Sequence, residues 1–244
     1  MRLSAALALF LALAAPAAAF MDEAGIGSLQ RGWAALPVGE RIALWAERFL
    51  GTPYDTDPLG EYVTRRSVVA DERVDCMYLT FRAVELALAS TPAEAVSVAL
   101  DKRFRTRGAL AEDGRVANYG DRFIYAADML SSGKWGREIT SSLGRTVEMP
   151  GPRGEGLFPV LPAGEIGPAV ALLESGDIVF FVKDPSKRAV GEMVGHMGII
   201  KREGGDVYLI HASGRKKLGG SVKKELFADY AGSMPFAGIM VSRF

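Results

Sequence analysis

The amino-acid sequence predicts an α+β fold, with helices packed on an antiparallel β-sheet, and three observations carry that expectation. Apolar residues recur at helical spacing in the first half, at Ile42, Leu44, Trp45, Phe49 and Leu50 and again from Leu79 to Leu88. The last third changes to short runs of β-formers, Ile178 to Val182, Val194 to Lys201 and Val207 to Ala212, punctuated by Gly176-Asp177 and by Glu203-Gly204-Gly205-Asp206. The chain has 244 residues, 49% of them hydrophobic, which is enough to bury a sizeable core.

From the beginning, Met1 and Arg2 precede an apolar run from Leu3 to Ala15, and Ala17-Ala18-Ala19 offers a small-residue cleavage site before Phe20. Residues 1–19 therefore read as a secretory signal peptide. That run is short for a membrane span, and no later stretch reaches about 18 apolar residues, so the mature chain is expected to be exported, periplasmic or extracellular, with no transmembrane segment. Residues 20–244 are expected to form one domain with an elaborated segment over 101–170. Lys+Arg and Asp+Glu balance at 29 each, so no overall field draws the chain to nucleic acid or to anionic lipid.

Residues up to Leu36 are Gly-rich and are expected to be loosely held. Pro37 to Leu50 reads as a helix, halted by Gly51-Thr52-Pro53-Tyr54, and Asp55 to Val69 reads as a charged loop carrying Arg65 and Arg66. Val74-Asp75-Cys76-Met77-Tyr78 opens a largely buried helix, with Asp75 as its N-cap. Thr91 and Pro92 cap and open another, with Ala93, Val96, Ala99 and Leu100 on its inner side. Phe123 to Leu130 suggests a short helix, Gly151 to Gly167 a long ordered loop, and Ala237 to Val241 a last strand.

Cys76 is the one cysteine, so no intramolecular disulfide forms. A free Cys on a helix is usually a small apolar core residue, yet a helix start favours a thiolate through its unpaired N–H groups and dipole. The two histidines, His196 and His211, both fall in the predicted hairpin. A two-residue loop at Glu203-Gly204 pairs them directly, and a four-residue loop over 203–206 makes them diagonal neighbours. Both registers put them on one face. A Cys, a His and a polar partner are the parts of a thiol hydrolase: the first His handles the thiol proton, the thiolate attacks a carbonyl, and the third group orients the imidazole. A three-ligand zinc site is the competing use of one Cys and two His.

Several segments together resemble a known family. Phe49-Leu50-Gly51-Thr52-Pro53-Tyr54, Asp75-Cys76, Gly176-Asp177-Ile178-Val179, Gly195-His196-Met197-Gly198-Ile199 and His211-Ala212-Ser213 are similar, in order and spacing, to the NlpC/P60 superfamily of cell-wall cysteine peptidases. Within it the likeness is to the DUF1460 group, also described as N-acetylmuramoyl-L-alanine amidase-like. Leu226 to Tyr230 and Gly238 to Arg243 also fit. The resemblance implies a papain-like NlpC/P60 fold with Cys76 as nucleophile, His196 as base, His211 as its orienting partner, and Tyr54 beside the site in substrate or oxyanion contact. No cofactor and no metal are expected, since the close ligand spacing and supporting carboxylates that normally mark a zinc site cannot be placed in the sequence. Met77-Tyr78-Leu79 after the Cys is bulkier and more apolar than the family's usual residues.

The expected function is hydrolysis of an amide bond in bacterial peptidoglycan, in its stem peptide or in a muropeptide. The bond is either the γ-D-glutamyl to diamino-acid link or the muramoyl-alanine link. Tyr54, Asp75, Lys216 and Lys217 are the candidate substrate contacts. Arg65, Arg66 and Arg215 are lesser candidates, since exposed basic turns are usually just solvated. A non-catalytic peptidoglycan-binding scaffold, or an acyltransferase working through the same thioester, are the alternatives on this fold. Oligomeric state is open.

Overall fold

The computed structural model describes residues 21–189 and 191–244, so the expected signal peptide lies outside the described residues. Nine α-helices and eight strands are found among them. The helices are α1 (Glu23–Gly32), α2 (Val38–Arg48), α3 (Glu61–Thr64), α4 (Cys76–Leu88), α5 (Pro92–Lys102), α6 (Ala126–Ser131), α7 (Thr140–Leu143), α8 (Ile166–Ala169) and α9 (Phe227–Ser233). The strands are β1 (Arg137–Glu138), β2 (Val147–Pro150), β3 (Leu157–Pro162), β4 (Ile178–Val182), β5 (Val194–Glu203), β6 (Asp206–Arg215), β7 (Gly219–Leu226) and β8 (Gly238–Arg243). All strand pairs are antiparallel, in the order β2-β3-β8-β4-β5-β6-β7, with β1 also on β8. Among the described residues no helix is long and apolar enough to cross a membrane.

Strand parity divides the apolar residues between two faces. Ile178, Phe180, Met197, Ile199, Ile210 and Ala212 form one cluster with the apolar sides of α2 and α4. Val179, Phe181, Ile200, Leu209, Ile239 and Val241 form a second cluster with Phe227 of α9. The sheet is thus buried on both faces, which is why β4 reads as an unbroken apolar run. Gly176-Asp177 has a structural role: Asp177 is fully buried and takes two hydrogen bonds, of 2.7 and 2.8 Å, from the Arg243 guanidinium of β8.

Four expectations need correction. The N-terminal stretch forms α1, because the Asp22 carboxylate accepts from the Gly25 N–H and Ile26 is buried. Residues 55–69 include α3, entered at Gly60 with φ of 97°. Ala93 faces out of α5, whereas Ala95, Ala99 and Leu100 face in. The stretch from Gly151 to Gly167 contains β3, where Leu161 pairs with Ile239 of β8, so a segment read as loop belongs to the sheet.

Candidate active site

Helix α4 starts where it does because Asp75 is extended and its carboxylate accepts from the Tyr78 N–H at 2.8 Å. The preceding residue is held by pairing: Val74 bridges Tyr54, with the Asp55 N–H donating to the Val74 carbonyl and the Val74 N–H to the Pro53 carbonyl, both at 3.0 Å. The same segment lies along β7, the Tyr54 N–H donating to the Gly220 carbonyl at 2.9 Å. Backbone pairing therefore brings the Tyr54 segment, the helix cap and the edge of the sheet together at Cys76. Gly214 of β6 makes room for this, since a Cβ there would lie 2.3 Å from the Tyr54 ring.

Cys76 is partly exposed, and its thiol accepts from the backbone N–H of Met197, the residue after His196. A β-bulge at this point shifts the pairing of β5 with β4, so that His196 lies opposite Phe181 and Val194 opposite Val182. Bulges re-aim the side chains beside them. His196 stacks on Phe181 with ring centroids 5.7 Å apart.

The hairpin turns at Gly204-Gly205, with Glu203 opposite Asp206 and Ile199 opposite Ile210. This is the register that makes the histidines diagonal neighbours on one face. Gly198 faces His211, and a Cβ on it would come 3.1 Å from the His211 Cβ. That gap lets the His211 ring lean toward His196, and their Nε2 and Nδ1 atoms meet at 2.7 Å. Two nitrogens on one tetrahedral zinc, each about 2.0–2.1 Å from the metal, would stand about 3.3 Å apart. The two rings therefore meet as hydrogen-bond partners, and among the described residues no three His, Cys, Asp or Glu side chains are grouped to hold a metal ion.

His211 is only 2% exposed, and its other nitrogen, Nε2, lies 3.0 Å from the Glu225 carboxylate. Glu225 was not foreseen, because β7 is polar and shows no strand pattern of its own. Tyr230 of α9 was included only as part of a matching segment. Its ring covers both histidines, with centroids 4.8 Å from His211 and 6.1 Å from His196. Burial, with the charge of Cys76 next, pushes the Tyr230 phenol up to about 12.

Burial also decides the resting protonation state, and against the thiolate expected from the helix start. The Cys76 thiol is pushed up to about 12 by burial and then by the Asp75 carboxylate, with the Met197 N–H and Lys216 opposing. His196 is pushed down to about 3 by burial and then by His211. His211 is lowered by burial, with Glu225 opposing. A neutral thiol and neutral imidazoles follow, because desolvation outweighs the dipole.

Of the candidate substrate contacts, three cluster. Tyr54 is 9% exposed, and burial followed by the charges of Cys76 and Asp75 raises its phenol. Lys216 Nζ lies 5.6 Å from the Tyr54 ring centroid, donates to the Asp55 carbonyl at 3.1 Å and reaches the Asp75 carboxylate at 3.4 Å. Burial raises Asp75, with Lys216 and the Tyr78 N–H opposing. Lys217 stands apart, exposed on the β6–β7 turn with φ of 74°. Arg65, the residue that ends α3, is exposed and paired with Glu61 of that helix.

Neither a protein-family model nor a curated protein matches the sequence. Solved structures do share the fold. One is an N-acetylmuramoyl-L-alanine amidase from Bacteroides uniformis, 19% identical with a TM-score of 0.64, over 84% of this chain and 98% of that one. Another is a DUF1460 protein from Legionella pneumophila, 16% identical with a TM-score of 0.68, over 90% of this chain and 93% of that one. At these identities the likeness is one of fold, and nearly the whole length of each relative finds its counterpart in this α+β chain.

Proposed function

We propose that this chain is an exported cysteine hydrolase of papain-like NlpC/P60 architecture that cleaves an amide bond in bacterial peptidoglycan or in muropeptides. The fold likeness to a muramoyl-alanine amidase and to a DUF1460 protein supports the substrate class. One observation carries the chemistry: the 2.7 Å contact of His196 with the buried His211, next in the chain to the Met197 N–H that the Cys76 thiol accepts at a capped helix start. Cys76 and His196 are both partly exposed, whereas His211 is buried behind them, so the reactive pair faces solvent and its orienting partner does not.

In this mechanism His196 takes the thiol proton as the Cys76 sulfur attacks the amide carbonyl. The Cys76 and Met77 N–H groups, which have no acceptor within α4, stabilise the oxyanion, while the Tyr78 N–H is taken by Asp75. The intermediate collapses to a thioester as the amine leaves with the proton from His196. Water, deprotonated by His196, then cleaves the thioester and restores the thiol. Tyr54 and Asp75 border the substrate, and Lys216 receives one of its carboxylates by exchanging its contact with Asp75. We assign 101–170 to a wall of the cleft that favours small muropeptides. Met149 and Phe158 pack on the same cluster as Cys76 and Met77, and Arg188 binds the Pro150 and Gly151 carbonyls.

The test is incubation with isolated muropeptides and with intact sacculi, products being identified by mass spectrometry. Cleavage at one amide bond, faster for muropeptides and absent in Cys76→Ala, is expected. No cleavage, or full activity in Cys76→Ala, would overturn the proposal.

A further inference from the structure

We infer that Glu225 is a positioning residue that sets the direction of proton transfer at the site by fixing the tautomers of both histidines, an inference that deepens the hydrolase reading above and rests on it for its kinetic consequence. The chain of contacts is continuous. Cross-strand pairing sets Glu225 of β7 opposite Leu209, on the face and one rung along from His211, and its Oε2 lies 3.0 Å from His211 Nε2. His211 Nδ1 in turn lies 2.7 Å from His196 Nε2.

A carboxylate only accepts, and a neutral imidazole has one N–H and one bare nitrogen. Facing Glu225, His211 Nε2 carries the hydrogen. His211 Nδ1 is then bare and accepts, so His196 Nε2 donates to it. The bare nitrogen of His196 is consequently Nδ1, outside this chain of bonds and free to receive a proton. Were the first bond reversed, His211 would donate from Nδ1, His196 would accept at Nε2, and its hydrogen would sit on Nδ1, where no thiol proton could be taken up.

The surroundings favour this one arrangement. His211 is buried and covered by the Tyr230 ring, so solvent offers no other acceptor on that side. Lys223 Nζ lies 3.9 Å from the second Glu225 oxygen, so the oxygen that faces His211 is not the one this lysine approaches. Glu225 itself is about one-third exposed, so a substitution there is not a core substitution.

Nitrogen-15 NMR of histidine-labelled protein reads the two tautomers directly, because the chain has only two histidines. At neutral pH both rings are expected with hydrogen on Nε2 and a bare Nδ1. Glu225→Gln keeps the shape but supplies an amide that also donates, so mixed or reversed tautomers are expected. Hydrolysis should fall on the order of 10²–10⁴-fold in kcat, with KM little changed, as wrong-tautomer substitutions do. Glu225→Asp keeps the acceptor and should retain the wild-type tautomers with an intermediate rate, and thermal unfolding checks that both variants fold. Hydrogen on Nδ1 of His211 in the wild type, or unchanged tautomers and kcat in Glu225→Gln, would overturn the inference. Tautomers that follow residue 225 in a protein that hydrolyses nothing would support the tautomer assignment while removing the hydrolase reading.

Discussion

Helix α4 carries ionisable groups at its start and in its middle, and the two regions treat burial in opposite ways. In the middle, Glu85 is fully buried and receives Arg103 at 2.6 and 2.7 Å, while Arg82 grips Asp71 at 2.8 and 3.0 Å. The Tyr78 hydroxyl donates to the same Asp71 at 2.7 Å. Each buried charge there meets an opposite charge in bidentate geometry. At the start of the helix the Cys76 thiol is pushed up to about 12, and His196 of β5 is pushed down to about 3. Neither receives a countercharge that offsets its burial, so both rest uncharged. One helix thus carries a compensated network in its middle and, at its start, one member of an uncompensated pair whose other member, His196, stands on β5.

The comparison breaks most visibly under substitution. Cys76→Ala is expected to abolish hydrolysis while costing about 1 kcal/mol or less of stability, since it removes one partly exposed sulfur. Glu85→Ala should do the reverse in kind, leaving the Arg103 guanidinium buried and unpaired at a cost of about 3–5 kcal/mol. Chemical denaturation of the two variants, read beside muropeptide hydrolysis, measures both. Comparable stability losses would mean that the two regions do not differ as described.

Within the site, His196→Ala is expected to lower kcat by about 10²–10⁴-fold, the range for a positioned base. His211→Ala should cost less, because it acts only through His196. Steady-state rates of the two variants give the ratio, and a greater loss in the His211 variant would reverse the assigned roles.

The uncharged pair also leaves a mark on stability against pH. Folding lowers the pKa of His196 from about 6.5 to about 3, so the unfolded chain binds the proton first. Its contribution is present above pH about 6.5 and is lost as pH falls toward 3. His196→Gln should flatten that part of the profile, as measured by denaturation between pH 7 and 4. The smallest expected effect is that of Asp75→Ala, about 1 kcal/mol for a lost N-cap, set against any change in rate.

Much of this was legible in the sequence, and the exceptions have physical causes. Asp75 before an apolar run marks a helix start because the cap is a local interaction, and His196 and His211 share a face because strand period and a short turn fix parity. Glu225 was hidden because Val222 is the one buried residue of β7, which forms by pairing with β6 and not from its own pattern. Pro159 and Pro162 disguised β3, whose partners on β8 are remote in sequence. Arg82 and Glu85 were hidden in an apolar helix, since Asp71 and Arg103, which neutralise them, lie outside it. The resting charge of Cys76 was misjudged because a helix start reveals its dipole in sequence and its desolvation only in the fold.

The most direct test of the central claim is the intact mass of the protein quenched during turnover of muropeptides. A covalent adduct equal to the acyl half of the substrate is expected, located on the peptide that contains Cys76, released by hydroxylamine and missing in Cys76→Ala. Hydrolysis that proceeds with no adduct and at the same rate in Cys76→Ala would contradict a thioester at this residue and remove Cys76 from the chemistry.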